Sequence, residues 1–173
     1  MKKNFLFGSI TIFLFFCFFV LLNGLDKSSV YSPTETLDTE IEFFNTKKLI
    51  SNKNINSDEL FSGSEFYLLN IWSSWCLPCK KEHLTLMKLK DNPYIKIIGL
   101  NYKDNPNNAK KFIKQLGNPY SEIVTDRDGT ISVSLGAYGV PETFIIDKNK
   151  KIIKKFIGQI NDKSLNEIKS LLK

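Results

Sequence analysis

Two cysteines separated by two residues, Cys76 and Cys79, are the side chains of this sequence best suited to chemistry. They follow an apolar run at 66–72, which predicts a buried strand, and precede a charged stretch at 80–90, which predicts an amphipathic helix. The dipole and free N–H groups of a helix N-terminus stabilise an anion, and they lower a thiol pKa from about 8.5 to roughly 3.5–7.5. We therefore predict that Cys76 is the exposed, attacking sulfur and that Cys79 resolves the intermediate.

Other uses of such a cysteine pair are less compatible with the sequence. A structural zinc site needs four ligands, and Cys76, Cys79 and the single histidine, His83, supply only three. Covalent haem attachment requires a histidine where Lys80 stands, and an iron–sulfur cluster needs more thiolates than the chain contains. A purely structural disulfide stays open, although so small a loop removes little entropy from the unfolded chain. We predict no metal and no cofactor other than a Cys76–Cys79 disulfide.

Length and composition indicate one ordinary domain with an additional segment. The chain has 173 residues, of which 42% are hydrophobic and 13% aromatic, enough for a packed core. The net charge of +6 suggests nucleic-acid binding at first sight. However, the lysines are scattered and the single arginine is Arg127, whereas phosphate and base recognition relies on arginine and clustered charge. We therefore exclude nucleic acid as a partner.

The N-terminal segment predicts a membrane anchor. Lys2 and Lys3 precede 18 uncharged residues at 5–22, a length at the lower limit for spanning a bilayer. A cleaved signal peptide is the alternative, but no A-x-A-like cleavage site follows. The two lysines favour a domain on the far side of the membrane from the cytoplasm. The predicted organisation is an uncleaved anchor at 1–22, a polar linker at 23–37 and a folded domain at 38–173.

Strands and helices alternate through the predicted domain. After the first strand and the cysteine helix, strands are predicted at 94–101, 121–124, 142–146 and 151–157, and helices at 109–116, at 131–135 and from Asp162 onward. The last helix is predicted to bury Leu165, Ile168, Leu171 and Leu172. Before the first strand, we predict a short strand at 41–44 and a helix capped by Ser57 or Asp58. The pattern predicts an α/β fold with a central mixed β-sheet flanked by helices.

A second segment of interest contains Pro141 at the start of an apolar strand, where proline is tolerated. Most X–Pro bonds are trans, and a cis Val140–Pro141 bond beside the cysteines is the alternative. A cis bond would expose the backbone carbonyl and amide of Val140. An extended substrate segment could then pair with that short edge while its sulfur meets Cys76.

The sequence resembles the membrane-anchored thiol:disulfide oxidoreductases of bacterial cytochrome c maturation, the DsbE/CcmG type, which have a thioredoxin fold and are close to the TlpA-like group. The resemblance rests on Trp75-Cys76-Leu77-Pro78-Cys79 with Glu82-His83, on Gly99-Leu100-Asn101-Tyr102-Lys103-Asp104, on Leu116-Gly117-Asn118-Pro119-Tyr120, and on Tyr138-Gly139-Val140-Pro141-Glu142-Thr143-Phe144-Ile145-Ile146-Asp147. It covers roughly residues 66–173.

The resemblance implies a single-pass protein of the inner membrane whose domain faces the periplasm. It implies a reductase that keeps the haem-attachment cysteines of apocytochrome c, or of a maturation partner, reduced with electrons from a membrane protein of the DsbD/CcdA kind. By the same resemblance, the catalytic residues are Cys76, Cys79, Glu82 and the cis-proline Pro141. The implied substrate-binding residues are Trp75, Leu77, Pro78, Val140, Glu142 and Thr143. A solvated helix charge at Glu82 and a strand-edge charge at Glu142 remain the plainer alternatives.

One position departs from general thioredoxins, which carry a buried acid six residues before the first cysteine. Asn70 stands there in this sequence, and Glu82 is the candidate to replace the acid. Three other functions stay open at this point: a general disulfide oxidase, another TlpA-like reductase, and a copper-binding chaperone on the same fold. The last class typically spaces its cysteines by three residues and uses a distant histidine, unlike Cys76, Cys79 and His83.

Overall fold

The computed structural model describes residues 2–25 and 37–172, with side chains described at 7–21 and 37–172. By its internal contacts the chain divides into two compact units, Met1–Ser32 and Pro33–Lys173. The first includes helix α1 (Lys2–Leu25), whose described phenylalanine side chains are exposed. Within the described part of the chain, the helices lack the combination of length and apolar character that crossing a membrane requires. The predicted linker at 23–37 lies largely outside the described residues.

The second unit is built on a mixed β-sheet. Its strands are β1 (Asn45–Lys48), β2 (Asn54–Asn56), β3 (Phe66–Trp72), β4 (Ile95–Tyr102), β5 (Glu122–Asp126), β6 (Glu142–Asp147) and β7 (Ile152–Ile157). Its helices are α2 (Ser57–Leu60), α3 (Leu77–Met87), α4 (Pro106–Leu116), α5 (Thr130–Ser134) and α6 (Asp162–Leu171). The strands form one sheet in the order β2-β1-β5-β4-β3-β6-β7. β4 is parallel to β3 and β5, and the other pairings are antiparallel.

Strand β3 lies near the middle of the sheet because both of its faces are apolar. Residues 67–72 are all buried, as expected for a strand covered on both sides. Leu68 and Trp72 pack in a cluster with residues of α3, α4 and α6, whereas Leu69 and Ile71 pack in a second cluster with residues of α2 and α5. Side chains that alternate along a strand therefore join two cores, one on each side of the sheet. The predicted mixed sheet with helices on both faces is confirmed.

The start of the domain differs from the prediction. The predicted strand at 41–44 is absent, and a polar hairpin of β1 and β2 extends the sheet instead, with β1 paired antiparallel to β5. The four residues of β1 are all polar, so their sequence gives no alternating apolar pattern. Only Thr46 among them is buried. The cap of α2 is Asn56, whose side-chain oxygen accepts the N–H of Glu59, and not Ser57 or Asp58.

The structure shows which face of α3 is buried, and it differs from the prediction at the end of α6. In α3 the buried residues include Cys79, Glu82, His83 and Leu86, at the i, i+3, i+4, i+7 spacing of one helix face. Leu84 lies on the opposite side and is exposed. In α6 the described core positions are Leu165 and Ile168, with Leu172 just beyond the helix, whereas Leu171 is exposed at the edge of that stripe.

Candidate active site

The cysteine pair lies where β3 ends and α3 begins, as predicted. Cys76 is the N-cap residue of α3, and its Sγ accepts the backbone N–H of Cys79 at 3.1 Å. Pro78 occupies the first turn, where no backbone N–H is needed. The two sulfurs form a disulfide. Because the Cys79 N–H already points at Sγ of Cys76, the backbone is arranged to stabilise a thiolate there after reduction.

The prediction of an exposed Cys76 is wrong for the disulfide form. Cys76 and Cys79 are only 4% and 2% exposed. The N-cap conformation turns Cys76 toward the first turn of the helix, and both cysteines join the cluster that contains Trp72. The neighbouring side chains project outward instead: Trp75 is 60% and Leu77 is 64% exposed.

A clamp from the end of β4 holds the loop that precedes Cys76. The Asp104 carboxylate accepts hydrogen bonds from the backbone N–H of Ser74 at 2.6 Å and from its hydroxyl at 2.8 Å. Asn101 Nδ2 donates to the same carboxylate at 3.0 Å. The indole N–H of Trp75 donates to the Lys103 carbonyl at 3.2 Å. Residues 101–104, which belong to one motif of the resemblance, therefore hold the loop before Cys76 in place.

The Val140–Pro141 bond is cis, as the alternative reading of this segment predicted. Strand β6 runs antiparallel to β3 with Glu142 opposite Ile71, so Pro141 reaches the end of the sheet where β3 leads into the cysteines. The Pro141 carbonyl accepts the N–H of Gly158 at 2.9 Å. Val140 is half-buried and packs against the cluster that includes both cysteines. The predicted neighbourhood of cysteine pair and proline is therefore present.

Glu82 is a buried acid and not a solvated helix charge. Its Oε1 accepts a hydrogen bond from Asn70 Nδ2 at 2.8 Å, and its Oε2 accepts one from the Ile160 N–H at 2.9 Å. Burial raises the pKa of Glu82 to about 7, and these two hydrogen bonds oppose the rise. Glu82 follows Cys79 by three residues on α3, so the two side chains share one face of the helix. It can therefore exchange a proton near neutral pH.

Asn70 connects Glu82 to two further buried side chains. The Tyr120 hydroxyl donates to Asn70 Oδ1 at 2.9 Å, which turns the Asn70 amide group toward Glu82. The same amide donates to the Thr143 hydroxyl at 3.0 Å. Burial, followed by the charge of Glu82, raises the pKa of Tyr120 well above its ordinary value, so the phenol keeps its proton. Tyr120 ends a motif quoted above, but sequence reasoning gave it no role.

His83 takes part in packing. Its Nε2 lies 3.0 Å from the Gly117 carbonyl, and its ring meets Phe112 edge-on with centroids 5.1 Å apart. Burial lowers the pKa of His83, so the neutral ring donates Nε2–H to that carbonyl. Among the residues that the structure describes, no group of three or more His, Cys, Asp or Glu side chains is placed to hold a metal ion.

Two predicted substrate contacts need correction. Thr143 is fully buried and serves Asn70, and Glu142 is buried under the loop that leads to Pro141. Glu142 Oε1 accepts the N–H groups of Tyr138 at 2.7 Å and Gly139 at 3.0 Å. Both side chains therefore support the site from inside, and the strand-edge alternative for Glu142 is wrong.

The side chains open to a substrate are Trp75, Leu77, Pro78 and half-buried Val140, together with Tyr138, which sequence reasoning missed.

The known proteins that are similar in sequence to this chain include thiol:disulfide interchange proteins. The redoxin family model matches residues 43–172. DsbE of Vibrio cholerae, a thiol:disulfide interchange protein, is 33% identical over 171 residues, covering 96% of this chain and 92% of the relative. DsbE of Haemophilus influenzae is 43% identical over 119 residues, covering 69% of this chain but 65% of the relative, slightly less than two thirds of its length. The thioredoxin domain of a thiol-disulfide oxidoreductase from Bacteroides vulgatus shares the fold at a TM-score of 0.67 and 19% identity, over 79% of this chain and 98% of that domain.

The fold and the site together define a thioredoxin-like thiol:disulfide oxidoreductase. A disulfide at a helix N-terminus, a cis-proline beside it and a buried acid on the same helix are arranged for thiol–disulfide exchange. The chain belongs to the redoxin family, and within it to the DsbE type.

Proposed function

We propose that this protein acts as a reductant of disulfides in apocytochrome c, or in a cytochrome c maturation partner, before haem is attached. The observation that carries thiol–disulfide exchange is the Cys76–Cys79 pair at the start of α3, with the buried acid Glu82 on the same helix. Such an acid can take the proton of the resolving thiol and return it to the departing one. The DsbE-type relatives support the reductive direction. The DsbE-type resemblance supports the choice of substrate.

The first step joins protein and substrate. The Cys76 thiolate attacks one sulfur of the substrate disulfide, so a Cys76–substrate bond forms as the substrate S–S bond breaks. The other substrate sulfur leaves as a thiolate and takes up a proton. The N–H of Cys79, which already points at Cys76 Sγ, stabilises the attacking anion. The backbone of Val140, next to the cis bond, pairs with the substrate chain while the mixed disulfide exists.

The second step releases the substrate. Cys79 gives its proton to the Glu82 carboxylate and attacks Sγ of Cys76, which breaks the mixed disulfide. The second substrate sulfur leaves and receives that proton. The substrate has gained two electrons and two protons, and the protein carries the Cys76–Cys79 disulfide seen in the structure. A membrane protein of the DsbD/CcdA kind then reduces it again in our proposal.

We also propose that the domain faces the periplasm and is held at the inner membrane through residues 5–22. The uncharged run, the two lysines before it and its helical conformation support this placement. Alkaline carbonate extraction of isolated membranes tests it. The full chain is expected to stay with the lipid, and its release would contradict the proposal.

The substrate proposal predicts selective reduction of a haem-attachment peptide. The full chain, reduced beforehand, is mixed with a disulfide-bonded Cys-x-x-Cys-His peptide or with a control peptide of the same composition and ring size but scrambled order. We expect kcat/KM to be about tenfold higher for the first peptide, equivalent to about 1.4 kcal/mol. Equal rates would contradict the substrate assignment.

The reduction potential separates this function from the oxidase alternative. Equilibration with glutathione is expected to give a value near about −200 mV or below, as in reductants of this fold, whereas a value near about −120 mV would identify an oxidant.

A further inference from the structure

A pair of charged side chains is buried beside the cis-proline, on the opposite face of β6 from Glu82. Lys155 of β7 and Glu142 at the start of β6 have side chains 0% and 2% exposed, with Lys155 Nζ 2.9 Å from Glu142 Oε2. The contact is an ion pair without aligned hydrogen-bond geometry. Thr143 faces Asn70 and Glu82, so the next residue back along the strand, Glu142, faces away from them.

The pair holds three backbone groups of one loop, residues 136–140, which leads into the cis bond. Lys155 Nζ donates to the Gly136 carbonyl at 2.7 Å. Glu142 Oε1 accepts the N–H groups of Tyr138 and Gly139. Two side chains of the β6–β7 hairpin therefore hold this loop by hydrogen bonds. The loop leads directly to Val140, whose backbone pairs with the substrate in the proposed mechanism.

The same lysine also touches the exposed ring of this loop. Lys155 Nζ lies 5.1 Å from the centre of the Tyr138 ring, within the range of a cation–π contact. The Tyr138 side chain is 68% exposed. Two charges buried in a protein core seldom stabilise it more than a well-packed apolar pair would. Their presence here is better explained by the orientation that they impose on the loop.

We propose that Glu142 and Lys155 are positioning residues that hold loop 136–140 in the form that pairs with a substrate chain, and that the Tyr138 ring is a specificity-determining platform for that chain. The inference rests on thiol–disulfide exchange with peptides and does not depend on a cytochrome substrate. It separates two properties of the enzyme: reactivity of the sulfur, set by the helix N-terminus, and recognition of the peptide, set by the buried pair.

Two double variants test the positioning role without leaving a lone buried charge. In Glu142→Leu with Lys155→Met, both charges and all three hydrogen bonds to the loop are lost. In Glu142→Gln with Lys155→Met, the Gln oxygen can still accept the N–H groups of Tyr138 and Gly139. Each full-length protein is assayed with a peptide disulfide and with the small aromatic disulfide DTNB, which has no chain to pair. Lys154→Met is the matched control, because its ion pair with Glu167 lies on the surface.

The Leu/Met variant is expected to raise KM for the peptide about tenfold, equivalent to about 1.4 kcal/mol, while its rate with DTNB stays within about twofold. The variant with Glu142→Gln and Lys155→Met is expected to raise KM for the peptide by about threefold or less. Lys154→Met is expected to change neither the rate with the peptide nor the rate with DTNB. Tyr138→Ala is expected to raise KM for the peptide alone. An unchanged peptide KM in the Leu/Met variant, or an equal loss with peptide and DTNB, would overturn the proposal.

Amide hydrogen exchange in the unmodified protein gives a test that no folding defect can obscure. The N–H groups of Tyr138 and Gly139 are expected to exchange slowly although both residues lie at the surface, because Glu142 accepts both. Free exchange would overturn the proposal. If all peptides are reduced equally but the Leu/Met variant still loses affinity for all of them, the cytochrome assignment fails and this inference stands.

Discussion

Replacing Cys79 with serine is expected to turn the protein from a turnover catalyst into a trap. Cys76 keeps the helix N-terminus and can still attack, but no second thiol remains to break the mixed disulfide. Steady-state reduction of a peptide disulfide should fall by about a thousandfold or more, because one essential partner of a two-residue unit is missing. A covalent adduct of protein and peptide should accumulate, detectable by non-reducing gel and mass spectrometry.

The reciprocal variant and the third cysteine provide the controls. Cys76→Ser is expected to lose the same activity without accumulating an adduct, because Cys79 lies inside the first turn of α3 and not at the N-cap, where the Cys76 sulfur accepts a backbone N–H. Cys17→Ser is expected to retain full activity, since Cys17 is a free cysteine of α1. An adduct on Cys79 in the Cys76→Ser protein, with none on Cys76 in the Cys79→Ser protein, would reverse the assigned order of attack.

Replacing Glu82 with glutamine is expected to change the dependence of stability on pH. The folded protein holds this carboxyl at a pKa of about 7, against an ordinary value of 4.5. Between those values the folded state binds more protons than the unfolded state, so the free energy of unfolding should fall as pH rises. The loss reaches about 3 kcal/mol at most by pH 8. Glu82→Gln should remove this slope, because glutamine does not titrate.

The same substitution should cost activity, because glutamine cannot take the Cys79 proton. Resolution of the mixed disulfide should slow by about a hundredfold near neutral pH, the usual contribution of a positioned acid or base, and its rise with pH around 7 should disappear. Urea denaturation from pH 5 to 8 and stopped-flow kinetics measure the two effects. Glu167→Gln, which changes a half-exposed carboxylate on α6, serves as the control. An unchanged pH slope in Glu82→Gln would remove Glu82 from the account.

The parts of the site that could be predicted from the sequence are those that depend on residues close together in the chain. The apolar run of β3, the helix that begins after Cys76 and the strand that follows Pro141 each have a local pattern, and the structure contains all three. The burial of Glu82 was left open, because its distance from the sulfurs along a helix does not tell which side of that helix the core covers.

The parts that were missed depend on residues far apart in the chain. The Tyr120 hydroxyl donates a hydrogen bond to Asn70, which lies 50 positions earlier in the chain. Neither residue type indicates its partner from the sequence. The sequence predicted Glu142 as a substrate contact or as an edge charge, because its ion pair with Lys155 forms only once β6 and β7 have paired. The strand β1 was missed for a similar reason: its polar sequence becomes a strand by pairing with the edge of β5, which lies later in the chain.

The central claim is that the backbone at the start of α3 holds one sulfur ionised near neutral pH. Cys76 Sγ already accepts the N–H of Cys79, and Lys80 and Lys81 add exposed positive charge nearby. The direct measurement is the rate of iodoacetamide alkylation of Cys76 in the reduced protein from pH 4 to 10, followed by peptide mass spectrometry. We expect the rate to rise with a midpoint below about 7.5 and to exceed that of a surface thiol at pH 7. A rise only above about pH 8 would contradict the account.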